Sequence, residues 1–220
     1  MTASLLRWFE AGGGALRHVG LGSIVERAGP FLGGIAARRP ATVNGLRRRN
    51  ELDACVVVVE VAAGAVPARA SLYLRGGGNT SSLVDAPGSR GVIDVAVKPI
   101  DDVLGDEPVD VVKLDVEGGE ADVLHGMKRL LHRRRDLTLI VECNPSLLAA
   151  MSSSRHELLA ILAAEGFSVW QVDEEAGRLS RRIDVSSREY VNLVCARGRP
   201  RDRLPGRYGS RTAARSSSSR

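Results

Sequence analysis

The sequence predicts an α/β protein built on a mostly parallel sheet with an antiparallel edge. Three observations carry this. From residue 109 onward, extended and helical patterns alternate as strand, helix, strand, helix, and then two strands follow one another. The strand patterns are continuous Val/Ile/Leu runs, "VDVVKLDV" and "LTLIVECN", as central strands covered on both faces require. The last two, "FSVWQVD" and "YVNLVCA", lie about 20 residues apart without a helical pattern between them, which fits an antiparallel edge.

Taken in order, the first fifty residues are rich in Gly, Ala and Arg and poor in apolar periodicity. A helix is expected over 3–10, then a Gly-rich turn, then a helix near 41–50. "CVVVVEVAA" is a β-branched run bounded by polar residues and Gly64, and reads as a buried strand. "ARASLYL" and "GVIDVAVKPI" read as two further strands, with "RGGGNTSS" and "DAPGSR" as turns. After the strand at 109–116, Gly118 and Gly119 turn the chain into a helix whose Val123, Leu124, Met127, Leu130 and Leu131 form one apolar stripe. A serine among Ser152–Ser154 caps the next helix, which Gly166 closes. "EEAGRLSRR" reads as a hairpin-like connection between the last two strands.

Composition narrows the function classes. No apolar run reaches the roughly 18–20 residues of a membrane span. The opening residues carry Glu10 and no long apolar core of a signal peptide, so a cytoplasmic protein is expected. The net charge of +5 comes from the end of the chain: residues 197–220 hold eight Arg and one acid, and residues 1–196 sum to −2. The stretch 198–220, rich in Arg, Ser, Gly and Pro, is expected to be a disordered basic tail. It lacks the interleaved aromatics of single-strand binders, so a nucleic-acid partner is not expected. Cys55, Cys143 and Cys195 lie far apart in apolar runs and read as small buried hydrophobes. No Cys/His spacing suggests a metal site. There is no GxGxxG between a strand and a helix for a dinucleotide, and no GxSxG elbow for a hydrolase.

The chemistry-bearing stretch is "VVKLDVEGGEADVLHGM", residues 111–127. Ligands of open α/β sheets bind beyond the carboxyl ends of the strands. Asp115 and Glu117 stand at such an end, two apart, and Lys113 is two before Asp115, so on a strand all three share a face. Gly118 and Gly119 let the backbone turn sharply and approach a ligand. Glu120 falls in the first helical turn, where the helix dipole favours negative charge. The next strand ends "VECN", which adds Glu142 and Asn144 to the same rim.

These residues resemble the FkbM family of S-adenosylmethionine-dependent methyltransferases. Lys113, Asp115, Glu117, Gly118, Glu120, Leu124, Gly126 and Glu142 match that family's Lys-x-Asp-x-Glu-Gly-x-Glu segment, its following Leu-x-Gly, and its next strand ending in Glu. "NTSSLVD" and the Ile100-Asp101 pair resemble upstream family segments, and the resemblance runs over about 40–197. It implies a Rossmann-like class I methyltransferase fold, with S-adenosyl-L-methionine as cofactor and a small-molecule, sugar or lipid hydroxyl as acceptor. Under it, Asp115, Glu117 and Glu142 are the candidate catalytic residues. Asp115 or Glu142 would act as proton acceptor or as a substrate-positioning group. Lys113, Glu120 and Asn144 are candidate substrate contacts, and Gly20, Gly22, Gly64, Asp115 and Gly118 candidate cofactor contacts. Where the resemblance implies cofactor-binding acids, the sequence has His18, Arg39 and Ala65. The first strand is therefore expected to be missing or irregular. Residues 1–40 read as an irregular remnant of the cofactor segment, and 41–197 as the methyltransferase domain. The alternative is a catalytically inactive remnant of the fold acting as an interaction module.

Overall fold

The computed structural model describes residues 4–8, 18–22, 48, 56–75, 83, 89–173, 178–181, 183–184 and 186–198. The expected helix near 41–50, apart from residue 48, and the tail from 199 lie outside these. The strands are β1 (Ser4–Trp8), β2 (His18–Gly22), β3 (Val56–Glu60), β4 (Ala62–Ala63), β5 (Ala68–Arg75), β6 (Ser89–Lys98), β7 (Val111–Asp115), β8 (Thr138–Cys143), β9 (Ser168–Asp173), β10 (Arg178–Ser180) and β11 (Val191–Ala196). The helices are α1 (Ile100–Leu104), α2 (Glu120–His125), α3 (Lys128–Arg133), α4 (Pro145–Ala150) and α5 (Arg155–Ala164).

Eight strands form one sheet in the order β10-β9-β11-β8-β7-β2-β1-β3, and β4-β6-β5 form a second. The large sheet is mixed rather than mostly parallel. Only β2–β7 and β7–β8 pair in parallel, while β1–β2, β1–β3, β9–β10, β8–β11 and β9–β11 are antiparallel. The reason lies in the connections. Parallel neighbours need a long crossover, which α2 and α3 supply between β7 and β8. The short links joining β1 to β2 and β9 to β10 allow only reversal. "EEAGRLSRR" does hold a hairpin strand, with Leu179 paired to Val172.

The first strand is neither missing nor irregular. "HVGLG", which resembled a loop after a lost strand, is itself β2, paired residue for residue from His18 opposite Val111 to Gly22 opposite Asp115. The helix expected over 3–10 is likewise a strand, β1, lying between β2 and β3. Cross-strand pairing on both sides decides the conformation of these five-residue segments, whose own apolar pattern is too short to do so.

One face of the large sheet carries the core. Val112 and Leu114 on β7, Leu139, Val141 and Cys143 on β8, and Leu193 and Cys195 on β11 are fully buried in one cluster. The helix residues Val123, Leu124, Leu130, Leu131, Leu148, Leu158 and Leu162, with Met127 between α2 and α3, close over them. The expected stripe is thus buried, but on two helices instead of one. The chain breaks at Gly126 because that residue backs onto another strand end: a Cβ there would lie 2.0 Å from the Gly64 carbonyl oxygen.

Polar side chains fix the helix ends. Asp101 accepts from the backbone N–H groups of Arg129 at 2.7 Å and Leu130 at 2.9 Å, capping α3. Ser154 caps α5 by accepting from Glu157 N at 3.1 Å. Arg197 donates to the carbonyls of Leu131, Arg134 and Glu165, closing the carboxyl ends of α3 and α5 with its charge where the helix dipoles favour it. Its guanidinium also lies 4.2 Å from the Phe167 ring centroid.

Candidate functional site

Strand register builds the site. β2, β7 and β8 run in one direction, so Gly22, Asp115 and Glu142 all arrive at the same edge of the sheet. Gly22 is opposite Asp115. Leu114 is opposite Val141, and one step further along both strands brings Asp115 beside Glu142. Because side chains alternate, Lys113, Asp115 and Glu142 occupy the face opposite the core residues Leu114 and Val141. Antiparallel β11 starts at this edge and places Asn192 opposite Glu142. The rim is therefore a row across four strands: Gly22, Asp115, Glu142, Asn192. The same face is closed further along by buried Val194 and Trp170, with the Arg181 guanidinium 5.1 Å from the Trp170 ring.

Beyond Asp115 the chain reverses in one tight turn. Gly119 N donates to Val116 O at 3.2 Å, and both central residues have positive φ, Glu117 at 54° and Gly118 at 100°. These are the features of a type I′ turn. Glycine suits the second position; glutamate at the first is strained by roughly 1–2 kcal/mol. Two contacts hold the strain in place. Glu120 Oε1 accepts from Val116 N and Gly118 N, each at 3.3 Å. Gly118 is pressed on α4, where a Cβ would lie 2.3 Å from the Leu147 carbonyl oxygen. The turn thus lifts Glu117 to the rim just beyond Asp115.

The electrostatics are those of crowded, buried carboxyls. Lys113 Nζ donates to Asp115 Oδ2 at 2.8 Å, and Asp115 is only 5% exposed. Burial, the neighbouring Asp115 charge, a hydrogen bond with Asp115 and the Glu117 charge together push the Glu142 carboxyl up to about 8, against the opposing pull of Lys113. Glu142 therefore favours its protonated form at neutral pH. Glu120 is also raised by burial, opposed by the amides it binds.

The other expected site residues divide. Gly22 stands at the rim and Gly20 two residues inside it, opposite Lys113. Asn144 Oδ1 accepts from Ser146 N and Leu147 N, so this oxygen caps α4. Glu120 is 2% exposed and turned to the backbone of its own turn. The Gly118 N–H is engaged by the same carboxylate. Gly64 is brought to Gly126, beyond the carboxyl end of α2, about 9 Å of helix away from the acid turn. There a Cβ on Gly64 would lie 2.6 Å from Val97 Cγ1, which is a packing demand.

Two features were not read from the sequence. Asn192 and Tyr190 reach the rim, with Asn192 Nδ2 donating to the Tyr190 hydroxyl at 3.0 Å. Their only sequence signal is the position of "YVN" at the start of a strand, and the strand order is needed to place it. Arg155, 4% exposed, donates to the carbonyls of Asp184, Ser187 and Glu189 and to Cys143 Sγ. It pins the segment leading into β11 to the end of β8. Among the described residues no cluster of His, Cys, Asp and Glu could hold a metal, and no helix is long and apolar enough to cross a membrane.

Carboxyls gathered where parallel strands end stand where open α/β sheets commonly bind their ligands. The sequence model of the Methyltransferase FkbM domain matches residues 39–169, more than half of the chain. The chain belongs to this methyltransferase family. Among solved structures it is similar to the methyltransferase FkbM from Methylobacillus flagellatus KT, at 18% identity with a TM-score of 0.42, over 70% of this chain and 33% of that one. The match thus spans about a third of that protein's length. No curated protein matches the sequence.

Proposed function

We propose that the Gly22–Asp115–Glu142 rim is the methyl-transfer site of an S-adenosylmethionine-dependent O-methyltransferase. Its acceptor is a hydroxyl on a small molecule, sugar or lipid. The observation that carries this reading is the placement of the Asp115 and Glu142 carboxyls side by side at the carboxyl ends of adjacent parallel strands, directly beside Gly22.

The residues present fit the cofactor. It carries a sulfonium cation, and the rim offers the acids Asp115 and Glu117 against the ammonium of Lys113, with Glu142 able to ionise beside them, a surplus of the right sign. Gly22 ends its strand without a side chain, so a ligand can approach the backbone there. Gly22 and Asp115 are the residues that would hold it. Bound there, it supplies an activated methyl group.

The chain's own tasks are alignment and proton handling. An acceptor hydroxyl at the rim meets a carboxyl pair whose proton affinity lies near the working pH, where a general base is most effective. With Glu142 ionised, the pair takes the hydroxyl proton as the oxygen acquires the methyl group. Lys113 holds Asp115 in place and offsets its charge, and Glu117, fixed by the turn, borders the same space.

Isothermal titration of the protein with S-adenosylhomocysteine tests the cofactor half, and transfer of label from methyl-labelled S-adenosylmethionine into polar metabolite extracts tests the chemistry. Binding heat and labelled product are expected. No heat and no protection from thermal unfolding would overturn the reading in favour of an inactive member of the family.

A further inference from the structure

Arg155 opens α5 and is only 4% exposed. Its Nε donates to Cys143 Sγ at 3.4 Å. One terminal nitrogen donates to the carbonyl oxygens of Asp184 at 2.7 Å and Ser187 at 3.0 Å, and the other to the Glu189 carbonyl oxygen. A charge taken out of water has to recover its hydration from such partners, and bonds from an ionised donor are about twice as strong as neutral ones. The guanidinium fork thereby joins two particular stretches. One is Cys143, the last residue of β8 and the neighbour of Glu142; the other is the strap of residues leading into β11. The strap is braced from within as well. Asp184 Oδ1 accepts from Ser186 N at 2.9 Å and Ser187 N at 3.2 Å, and Ser187 Oγ accepts from Glu189 N at 3.1 Å.

The strap ends on Tyr190 and Asn192. Val191 is paired with Cys143, and Asn192 with Glu142. Tyr190 precedes Asn192 by two and shares its face, and its hydroxyl accepts from Asn192 Nδ2 at 3.0 Å. The tyrosine is 51% exposed at the strand end, an apolar ring with a polar tip. Across the rim the order is Gly22, Asp115, Glu142, Asn192. With the cofactor held at Gly22 and Asp115, the side of Glu142 turned away from it is the β11 side, bordered by Asn192 and Tyr190.

We propose that Arg155 is a positioning residue for the methyl acceptor: by fixing the strap to the end of β8, it holds Tyr190 and Asn192 as the wall against which the acceptor rests beside Glu142. This rests on the methyl-transfer reading of the rim.

The test compares the full chain with Arg155→Met, Arg155→Lys and Tyr190→Ala. Label transfer from methyl-labelled S-adenosylmethionine is followed over a dilution series of polar metabolite extract, which separates the half-saturating extract concentration from the maximal rate. Losing a contact that holds the acceptor equally before and during transfer raises the first and leaves the second. Arg155→Met and Tyr190→Ala should each raise half-saturation by about tenfold, as for one lost hydrogen-bonded contact. Affinity for S-adenosylhomocysteine should stay within about twofold. Hydrogen exchange separates the two routes: in Arg155→Met the amides of 186–192 should exchange at least about tenfold faster, and in Tyr190→Ala they should not. Arg155→Lys, which keeps a charged donor for the carbonyls, should recover part of both losses. An unchanged half-saturation in Arg155→Met, or a loss confined to the maximal rate, would overturn the proposal. Should Arg155→Met not fold, unchanged half-saturation in Arg155→Lys and Tyr190→Ala overturns it instead. A wild type that neither binds S-adenosylhomocysteine nor transfers label sinks the methyl-transfer reading and the acceptor wall with it. A wild type that does both, beside variants with unmoved half-saturation, sinks the role of Arg155 and leaves that reading in place.

Discussion

Glu142→Gln should make the protein more stable and inactive at once. In the fold the Glu142 carboxyl keeps its proton up to about pH 8, whereas its ordinary value is 4.5. Between these limits the unfolded chain has lost the proton and the folded chain has not, so stability falls as pH rises through this window. Each pH unit costs about 1.4 kcal/mol. Glutamine mimics the protonated acid, can still donate toward Asp115, and carries no such linkage. The variant and wild type should therefore match near pH 4 and diverge above it. At pH 7 the variant gains on the order of 3 kcal/mol, and the gap levels off above about pH 8. For a chain of this size that corresponds to roughly 6–12 °C in melting temperature. Urea unfolding of both proteins from pH 4 to 9, with methyl transfer assayed in parallel, measures it. A variant less stable than wild type at pH 7, or a difference that does not change with pH, would refute the account of a protonated Glu142.

Other outcomes follow from the same geometry. The rate of methyl transfer should rise about tenfold per pH unit below the Glu142 midpoint near 8 and flatten above it; a flat profile from pH 6 to 9 would remove Glu142 as proton acceptor. Gly118→Ala forces a side chain into φ 100° and onto the Leu147 carbonyl, which should cost about 3–5 kcal/mol, seen as a large drop in urea midpoint; near-wild-type unfolding would mean the turn is built otherwise. Glu120→Ala leaves Val116 N and Gly118 N without their acceptor and should lose about 2 kcal/mol, while Glu120→Gln, which keeps an oxygen there, should lose much less; equal losses in circular-dichroism melts would contradict the clamp.

What the sequence disclosed depends on how local the deciding interactions are. The β-branched runs at 111–115, 138–143 and 191–196 announce their strands because they are buried by their own composition. The turn was legible because Glu117-Gly118-Gly119 needs glycine for its backbone, and the apolar stripe because helical spacing is local. β2 was not legible: "HVGLG" holds two glycines and no β-branched run, and its conformation is set by β1 and β7, one of them some ninety residues away. The break at Gly126 was hidden for the same reason, since its cause is the Gly64 carbonyl. Within the site, charge and position pointed to Asp115 and Glu142 together, but not to which way Glu120 turns. Asn192 needed the antiparallel register of β11 before it could be placed at all.

The central claim is that ligand binds where β2, β7 and β8 end. Mapping backbone amide shifts of the isotope-labelled protein on addition of S-adenosylhomocysteine tests it most directly. The account expects saturable shifts concentrated at Gly22, at Asp115 to Gly118 and at Glu142. Shifts centred on Gly64 and Gly126, or none at saturating ligand, would contradict it.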